Sequence, residues 1–149
     1  MTIADLDEGI APRSALLVDV KDSWSVGRDD QIQLELPASP EYGRVAQIAA
    51  AHLALRRGFS LTEIDDLRLV MDEAAVMLLE PRIDGGRLDV TYSVTDDTVS
   101  VDARIVAEDE RSLPIERVER FAELVGELID EYSIDRSGRR LTLTKTRVG

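Results

Sequence analysis

The sequence has no cysteine and only one histidine, His52. The missing thiols exclude disulfide bonds, thiolate metal sites and cysteine nucleophiles. A lone imidazole supports neither a metal site nor a Ser-His-Asp triad, so His52 is interpreted as a structural or surface residue. No apolar run approaches the roughly 20 residues of a membrane-spanning helix, and the acidic N-terminus lacks the basic and apolar regions of a secretory signal. These absences predict a cytoplasmic protein that does not enter a membrane.

Basic residues are also scarce. The 149-residue chain has 18 lysines and arginines against 30 aspartates and glutamates, which gives a formal net charge of −12. A surface of this sign repels phosphate backbones, so direct nucleic-acid binding is not expected. The charge either suits a basic protein partner or simply keeps the protein in solution.

Residues 1–30 have little periodic apolar pattern and several acidic side chains, which predicts a largely flexible N-terminal arm. The apolar run ALLV at 15–18 and the only tryptophan, Trp24, interrupt this pattern. They either pack on the domain or form a short partner-binding element. The chain is therefore divided into an acidic arm at 1–30, a folded domain at 31–146 and a tail at 147–149.

The domain begins with the pattern of a strand followed by a helix. Polar and apolar residues alternate over 31–36, which predicts a strand with one buried face. Ser39 and Pro40 are typical of an N-cap and a first helical position, so a helix is expected from there to Arg57. Gly58 is expected to end it.

The second helix has the clearest boundaries. Ser60 and Glu63 have the spacing of a capping box, apolar residues recur at helical spacing over 64–78, and Pro81 follows. Alternating apolar residues over 88–94 and 99–105 then predict a hairpin.

A third amphipathic helix is expected after Pro114, followed by a final hairpin over 132–144. The apolar face of that helix comprises Val118, Phe121, Ala122, Val125, Leu128 and Ile129. The resulting order is β-α-α-β-β-α-β-β. It predicts an α+β two-layer sandwich, in which three helices cover one face of a mainly antiparallel sheet.

This order of elements, with four short motifs inside it, resembles the anti-sigma-factor serine kinase group of the histidine-kinase-like ATPase superfamily. The motifs are LPASPEY at 36–42, IDDLRLVMDEA at 64–74, GGRLDV at 85–90 and LTLTK at 141–145. The resemblance spans about residues 31–146. It implies the histidine-kinase-like ATPase fold, a homodimer and two protein partners, a sigma factor of RNA polymerase and an anti-anti-sigma antagonist.

The second helix departs from the family at the nucleotide site. The resemblance places a general base or water-orienting glutamate at Glu73 and a Mg²⁺-binding asparagine four residues later, where this chain has Met77. Residues i and i+4 share a helix face, but a thioether is a poor ligand for Mg²⁺, which prefers oxygen. Glu73 is therefore either a retained catalytic residue or only a solvated helix residue beside Asp72.

Glycine is missing from both loops that the family uses around its nucleotide. The family's D-x-G-x-G turn, whose aspartate reads adenine, corresponds to VAEDERS at 106–112, and its glycine-rich phosphate cradle corresponds to PIERV at 114–118. These losses argue against phosphoryl transfer, so no cofactor is expected. If the site still functions, its cofactors would be ATP and Mg²⁺. The acidic residues here that would repel a triphosphate are Glu108, Asp109, Glu110 and Glu116.

The first helix has two apolar stripes. One is expected to face the sheet and comprises Tyr42, Val45, Ala46, Ala49 and Leu53. The other comprises Arg44, Ile48, Ala51 and Leu55, and indicates either contact with another protein or cover by the third helix or the arm. The resemblance places Arg44 where the sigma factor and its antagonist dock, and a guanidinium there would bind acidic groups of a partner.

The sequence thus predicts an anti-sigma factor that covers the surfaces a sigma factor needs for RNA polymerase and is released by an anti-anti-sigma antagonist. One alternative is a serine/threonine kinase that phosphorylates the antagonist with ATP and Mg²⁺. Another is a scaffold or sensor unrelated to transcription, because a fold does not determine a function.

Overall fold

Three helices lie on one face of a five-stranded antiparallel sheet in the computed structural model, which describes residues 30–148. The order of elements is the predicted one, and no described helix is long and apolar enough to cross a membrane. The apolar run at 15–18 and Trp24 lie outside the described residues. The elements are β1 (Asp30–Pro37), α1 (Gly43–Arg56), α2 (Leu61–Leu79), β2 (Arg87–Val94), β3 (Thr98–Val106), α3 (Ile115–Val125), β4 (Glu131–Asp135) and β5 (Arg140–Thr146).

The strands are arranged in the order β1-β2-β3-β5-β4, and each neighbouring pair is antiparallel. In the central register, Val90 of β2 lies opposite Leu34 of β1 and Ala103 of β3. Because side chains alternate along a strand, the apolar residues of β2 and β3 are buried beneath the helices, and polar residues such as Thr91 and Ser100 line the open face. The predicted α+β two-layer sandwich is confirmed.

The capping box at the start of α2 is also confirmed. The backbone N–H of Glu63 donates to Ser60 Oγ at 3.1 Å, and the backbone N–H of Ser60 donates to Glu63 Oε1 at 2.8 Å. The other carboxylate oxygen of Glu63 accepts the backbone N–H of Val148 at 2.7 Å. Hydrogen bonds from Ser60 and Val148 hold the pKa of Glu63 below its ordinary value. This end of α2 is thus joined to the residues that follow β5.

The start of α1 differs from the prediction. Pro40 opens a 3-10 turn, Pro40–Tyr42, and α1 begins only at Gly43. The Ser39 hydroxyl donates to Glu41 Oε1 at 2.9 Å instead of accepting a backbone N–H. Gly58 follows the end of α1 with a φ of +79°, which is the left-handed conformation of a helix-terminating glycine.

The predicted inner face of α1 is wrong. Val45 is 43% exposed, and Tyr42, Ala49 and Leu53 are only half-buried. Of the predicted residues only Ala46 is buried, and the buried residues of α1 are Gly43, Ala46, Gln47, Ala50 and Ala54.

Close packing of α1 on α2 explains this rotation. A Cβ at Gly43 would lie 2.6 Å from the Cβ of Ala75 in α2, so the two helices approach too closely there for any side chain at position 43. From the sheet, the phenol of Tyr92 donates to the Ala46 carbonyl at 2.8 Å. The larger apolar side chains Val45, Ile48 and Leu55 consequently face away from the core.

Helix α3 is shorter than its apolar pattern suggests. It ends at Val125, and a 3-10 turn, Gly126–Leu128, leads into β4. Of the six residues in the predicted apolar face, Phe121, Val125 and Ile129 are buried, and the other three are half-buried. Phe121 packs edge-to-face on Tyr132 of β4, with ring centroids 5.8 Å apart, which places α3 over the β4 end of the sheet.

Candidate functional site

The Glu73 carboxylate lies at the contact between α2 and α3. Its Oε1 accepts a hydrogen bond from Arg120 Nε of α3 at 3.3 Å, and its side chain is 16% exposed. Arg120 is 58% exposed, so this is a partly solvated ion pair of modest strength. Glu73 is therefore paired with a cation rather than simply solvated beside Asp72.

Met77 is part of the hydrophobic core. Its residue exposure is 1%, which places it among the largest fully buried side chains of the described residues. Its backbone carbonyl accepts a hydrogen bond from Arg117 Nη1 of α3 at 3.4 Å. The position where the resemblance places a metal-binding amide thus contributes apolar packing and offers no oxygen ligand from its side chain.

Residues 106–112 correspond to the family's adenine-reading turn. They begin at the last residue of β3 and contact the turn between β4 and β5. Asp109 Oδ1 accepts a hydrogen bond from Arg139 Nη2 at 2.6 Å. Arg139 is buried and has a φ of +48°. Just beyond this stretch, Leu113 exchanges hydrogen bonds with Arg136, through the Leu113 N–H at 3.0 Å and the Leu113 carbonyl at 2.9 Å. Side-chain hydrogen bonds from Arg136 and Arg139 thus help to hold this loop, which contains no glycine.

A cleft of about 540 Å³ separates this loop from the segment that follows α2. Its charged residues are balanced, with the arginines Arg82, Arg111, Arg117 and Arg139 and the acidic residues Glu80, Asp84, Glu108 and Asp109. Each arginine is already engaged: Arg82 pairs with Asp84, Arg111 and Arg139 pair with Asp109, and Arg117 binds the Met77 carbonyl. The arginines that line this cleft are thus all paired among the described residues, and carboxylates lie beside them.

Within residues 30–148, no group of three His, Asp or Glu side chains has the geometry to hold a metal ion.

The second predicted stripe of α1 lies on the surface. Ile48 is 57% exposed and Leu55 is 58% exposed, while Ala51 between them is half-buried and Arg44 is exposed. Val45 enlarges this surface, since it faces outward and not toward the sheet as predicted. We call Arg44, Val45, Ile48, Ala51 and Leu55 the outer stripe. The predicted cover by α3 is not found for Ile48 and Leu55.

The outer stripe lies on a basic helix of an acidic protein. Residues 43–57 contain three arginines and no aspartate or glutamate, in a chain whose net charge is −12. Arg44 and Arg56 are exposed, and neither forms an ion pair within the described part of the chain. His52 is exposed beside the stripe, as a surface residue. This face of α1 therefore combines apolar side chains with available guanidinium groups.

Sequence reasoning missed Arg117, Arg120 and Arg139, which bind around the Glu73–Met77 segment and the loop after β3. Glu73 and Arg120 are 47 residues apart in the chain, so no local pattern joins them. The outward position of Val45 was also missed, although the alanines at 46, 50 and 54 share a face at helical spacing.

The architecture and the position of these residues define an α+β sandwich consistent with the histidine-kinase-like ATPase fold, with α2 at its centre. No family model matches the sequence.

The chain is distantly similar to curated proteins named serine-protein kinase RsbW. It is 33% identical over 75 residues to that of Listeria innocua, covering 48% of each chain. It is 29% identical over 75 residues to that of Bacillus subtilis (48% of this chain, 47% of the relative) and 26% identical over 94 residues to that of Oceanobacillus iheyensis (61% and 58%). The chain thus spans about half the length of the curated relatives it matches. This distant similarity agrees with the resemblance to the anti-sigma-factor serine kinases that the motifs indicated.

Proposed function

We propose that the protein is an anti-sigma factor that binds and sequesters a sigma factor of RNA polymerase without using Mg-ATP, and that an anti-anti-sigma antagonist releases the sigma factor. The observation that carries this proposal is the outer stripe of α1, where Ile48 and Leu55 are more than half exposed. Apolar side chains exposed together on one helix are typical of a protein-binding face.

Charge supports a protein partner with acidic groups at this face. Arg44 lies at one end of the stripe and Arg56 follows Leu55 at the other. An arginine that meets a carboxylate in an interface forms charge-assisted, often bidentate hydrogen bonds. The helix would therefore recognise an acidic and apolar segment of the partner, while the remaining acidic surface repels nucleic acid.

The contacts around α2 support the nucleotide-independent part of the proposal. Met77 lies in the core, Glu73 is paired with Arg120, and the arginines of the adjacent cleft are engaged. Phosphoryl transfer depends on positioned phosphates and metal ions, and these residues offer neither a metal-binding amide nor an unpaired phosphate-binding cation. Sequestration by surface coverage requires none of these groups.

The test is an affinity pull-down with the tagged protein from a lysate of its native cell, run with and without Mg-ATP, with bound proteins identified by mass spectrometry. A sigma factor recovered equally in both conditions is the expected result. Recovery of no sigma factor in either condition would contradict the proposal, while leaving the fold unaffected.

The role of Arg44 is tested by Arg44→Asp, with Arg111→Asp as the matched control. Both substitutions reverse one exposed arginine, so both change the net charge equally, but Arg111 lies away from α1, at the cleft. Arg44→Asp is expected to weaken sigma-factor binding and Arg111→Asp to leave it unchanged. Equal affinities for both variants would show that Arg44 is not part of the interface.

A second candidate is a serine/threonine kinase that phosphorylates the antagonist with ATP and Mg²⁺. The similarity to proteins named serine-protein kinase RsbW favours it. Sigma-factor recovery that depends on Mg-ATP, together with ATP-dependent phosphorylation of a co-purified antagonist that Glu73→Gln abolishes, would establish the kinase over the nucleotide-independent regulator.

A further inference from the structure

Gln47 is the one polar side chain among the buried residues of α1. Its exposure is 4%, and its amide nitrogen Nε2 donates to Asp72 Oδ1 at 2.5 Å and to the Arg68 carbonyl at 3.3 Å. Arg68 and Asp72 are four residues apart on α2, so both acceptors lie on the same face of that helix. A single side chain of α1 therefore hydrogen-bonds two successive turns of α2.

The apolar contact between α1 and α2 does not by itself fix how α1 is rotated about its axis. Alanine occupies positions 49, 50 and 51, and successive residues lie about 100° apart around a helix. A rotated α1 would therefore replace the buried methyl group of Ala50 by an identical one. A cavity of about 20 Å³, lined entirely by apolar residues of α1, α2 and the sheet, also lies beside Gly43 and Ala46. Apolar packing of this kind leaves alternative orientations close in free energy.

A rotated α1 would separate the Gln47 amide from both of its acceptors. The amide would then lose a hydrogen bond to a carboxylate, which is stronger than a bond between neutral groups. A buried donor without a partner also costs the free energy of its lost hydration. One directional polar group among uniform apolar contacts is the arrangement that selects a single register between packed helices.

We propose that Gln47 is a positioning residue, whose hydrogen bonds to Asp72 and Arg68 hold α1 in one rotational orientation on α2. The phenol of Tyr92 also binds α1, but it donates to the main-chain carbonyl of Ala46. The other buried residues of α1 are glycine and alanine. Gln47 is thus the only buried side chain of α1 that can select the orientation through hydrogen bonds.

The consequence for partner binding rests on the proposed function. Ile48 and Leu55 are exposed in the orientation that buries Gln47. If α1 adopted several orientations, only a fraction of the molecules would present the outer stripe, and the apparent affinity for the sigma factor would fall by that fraction. The orientation of α1 is a property of the protein alone and is tested without a partner.

The experiment measures how well a single thiol is protected from a soluble thiol reagent. The chain has no cysteine of its own. Ala50→Cys places the thiol at a fully buried position of α1, and Val125→Cys places it at a fully buried position of α3 as a control. Each protein is compared with and without Gln47→Met, which removes the amide but keeps an unbranched side chain of similar length.

Gln47→Met is expected to lower the protection of the thiol at position 50 by roughly 10- to 100-fold, the factor that one hydrogen bond to a charged group contributes to an equilibrium. Protection at position 125 should change much less. An equal fall at both positions would show that Gln47 contributes only to the overall stability of the domain. Unchanged protection at position 50 would show that apolar packing alone holds α1. Either result overturns the proposal.

A matched pair of variants at Asp72, an exposed residue, tests the hydrogen bond without altering the core. Asp72→Asn and Asp72→Ala remove the same charge, but only Asn keeps a side-chain oxygen that can accept from Gln47. The thiol at position 50 should stay protected in Asp72→Asn and lose protection in Asp72→Ala. Equal protection in the two variants would overturn the inference. None of these readouts uses a sigma factor, so failure of this inference and failure of the proposed function are separate results.

Discussion

The two helical regions that the family resemblance would assign to function are packed in opposite ways. On α1, the bulky apolar residues Ile48 and Leu55 face outward, and glycine, alanines and Gln47 face the core. On α2, Met77 faces the core and Glu73 is covered by an arginine from α3. One region therefore exposes side chains suited to binding another chain, whereas the other has its side chains satisfied within the domain.

Under the proposed function, this difference would separate a surface used for binding from a site no longer used for chemistry. A catalytic nucleotide site needs polar groups that are exposed, oriented and unpaired until the substrate arrives. A protein-binding face needs apolar area and a few available charges. The α2–α3 contact meets the requirements of a stable core, and the outer stripe meets those of an interface.

The largest effect is expected from placing the family's amide at position 77. Met77→Asn replaces a buried thioether by a smaller side chain that carries an unpaired amide, so we expect a loss of about 2–5 kcal/mol in the free energy of unfolding. Urea denaturation measures it, with Leu124→Asn on the exposed face of α3 as the control that changes by no more than about 0.5 kcal/mol. A Met77→Asn protein with unchanged stability that gained Mg-ATP binding would remove the contrast between the two regions.

Next in size is the effect of a charge on the outer stripe. Ile48→Asp is expected to weaken binding to the proposed sigma-factor partner by about 2 kcal/mol, roughly 30-fold in Kd, because an unpaired carboxylate in the centre of an interface is costly. The exposed position predicts little change in unfolding. Titration calorimetry of wild type, Ile48→Asp and the control Leu124→Asp measures the affinity. An equal loss of affinity in both variants would mean that the outer stripe is not the specific interface.

A smaller effect is expected from the ion pair between Glu73 and Arg120. Arg120 is more than half exposed, so a double-mutant cycle with Glu73→Gln and Arg120→Ala should give a coupling of about 0.2–1 kcal/mol in unfolding free energy. A coupling well above this range would mean that Glu73 is held by more than one exposed pair. Nucleotide binding gained by Arg120→Ala would show that the pair blocks a competent site.

The smallest effect is expected on the free energy of unfolding at low pH. Hydrogen bonds from Ser60 and Val148 lower the pKa of Glu63 from its ordinary value of 4.5. Ionised Glu63 therefore stabilises the folded state. This stabilisation is fully present above pH 4.5 and is lost as the pH falls through the lower pKa that Glu63 has in the folded protein. The stability difference between wild type and Glu63→Gln should shrink as the medium is acidified through this window.

Thermal unfolding at a series of pH values measures that difference. Asp65→Asn, which neutralises an exposed carboxylate on the same helix, is the control whose difference from wild type should not follow the same curve. A pH-independent gap between wild type and Glu63→Gln would mean that the carboxylate contributes no more than a neutral amide.

Local signals in the sequence were sufficient for the elements and their order. The capping box of Ser60 and Glu63 places the start of α2, and Gly58 the end of α1, because each depends on hydrogen bonds or dihedral angles within a few residues. The alternation in β2 and β3 likewise predicts which side chains lie beneath the helices.

The orientation of α1 was not predictable in the same way. Nine of its fourteen residues, GRVAQIAAAHLALR, are alanine, valine, isoleucine or leucine, and they occur around most of its circumference, so periodicity alone does not distinguish an inner from an outer face. The stripe predicted to face the sheet included Val45. The close approach of Gly43 to Ala75 in α2 reverses that choice.

The sequence by itself determined the order of the helices and strands, the sandwich architecture and the absence of a metal-binding amide beside Glu73, since these follow from nearest neighbours and residue identity. Only the tertiary structure decided that Arg120 pairs with Glu73, that Arg139 holds Asp109 and that Ile48 and Leu55 are exposed. These properties arise from contacts between residues far apart in the chain. Such contacts depend on how closely whole helices and turns approach, a quantity that packing determines and no local pattern specifies.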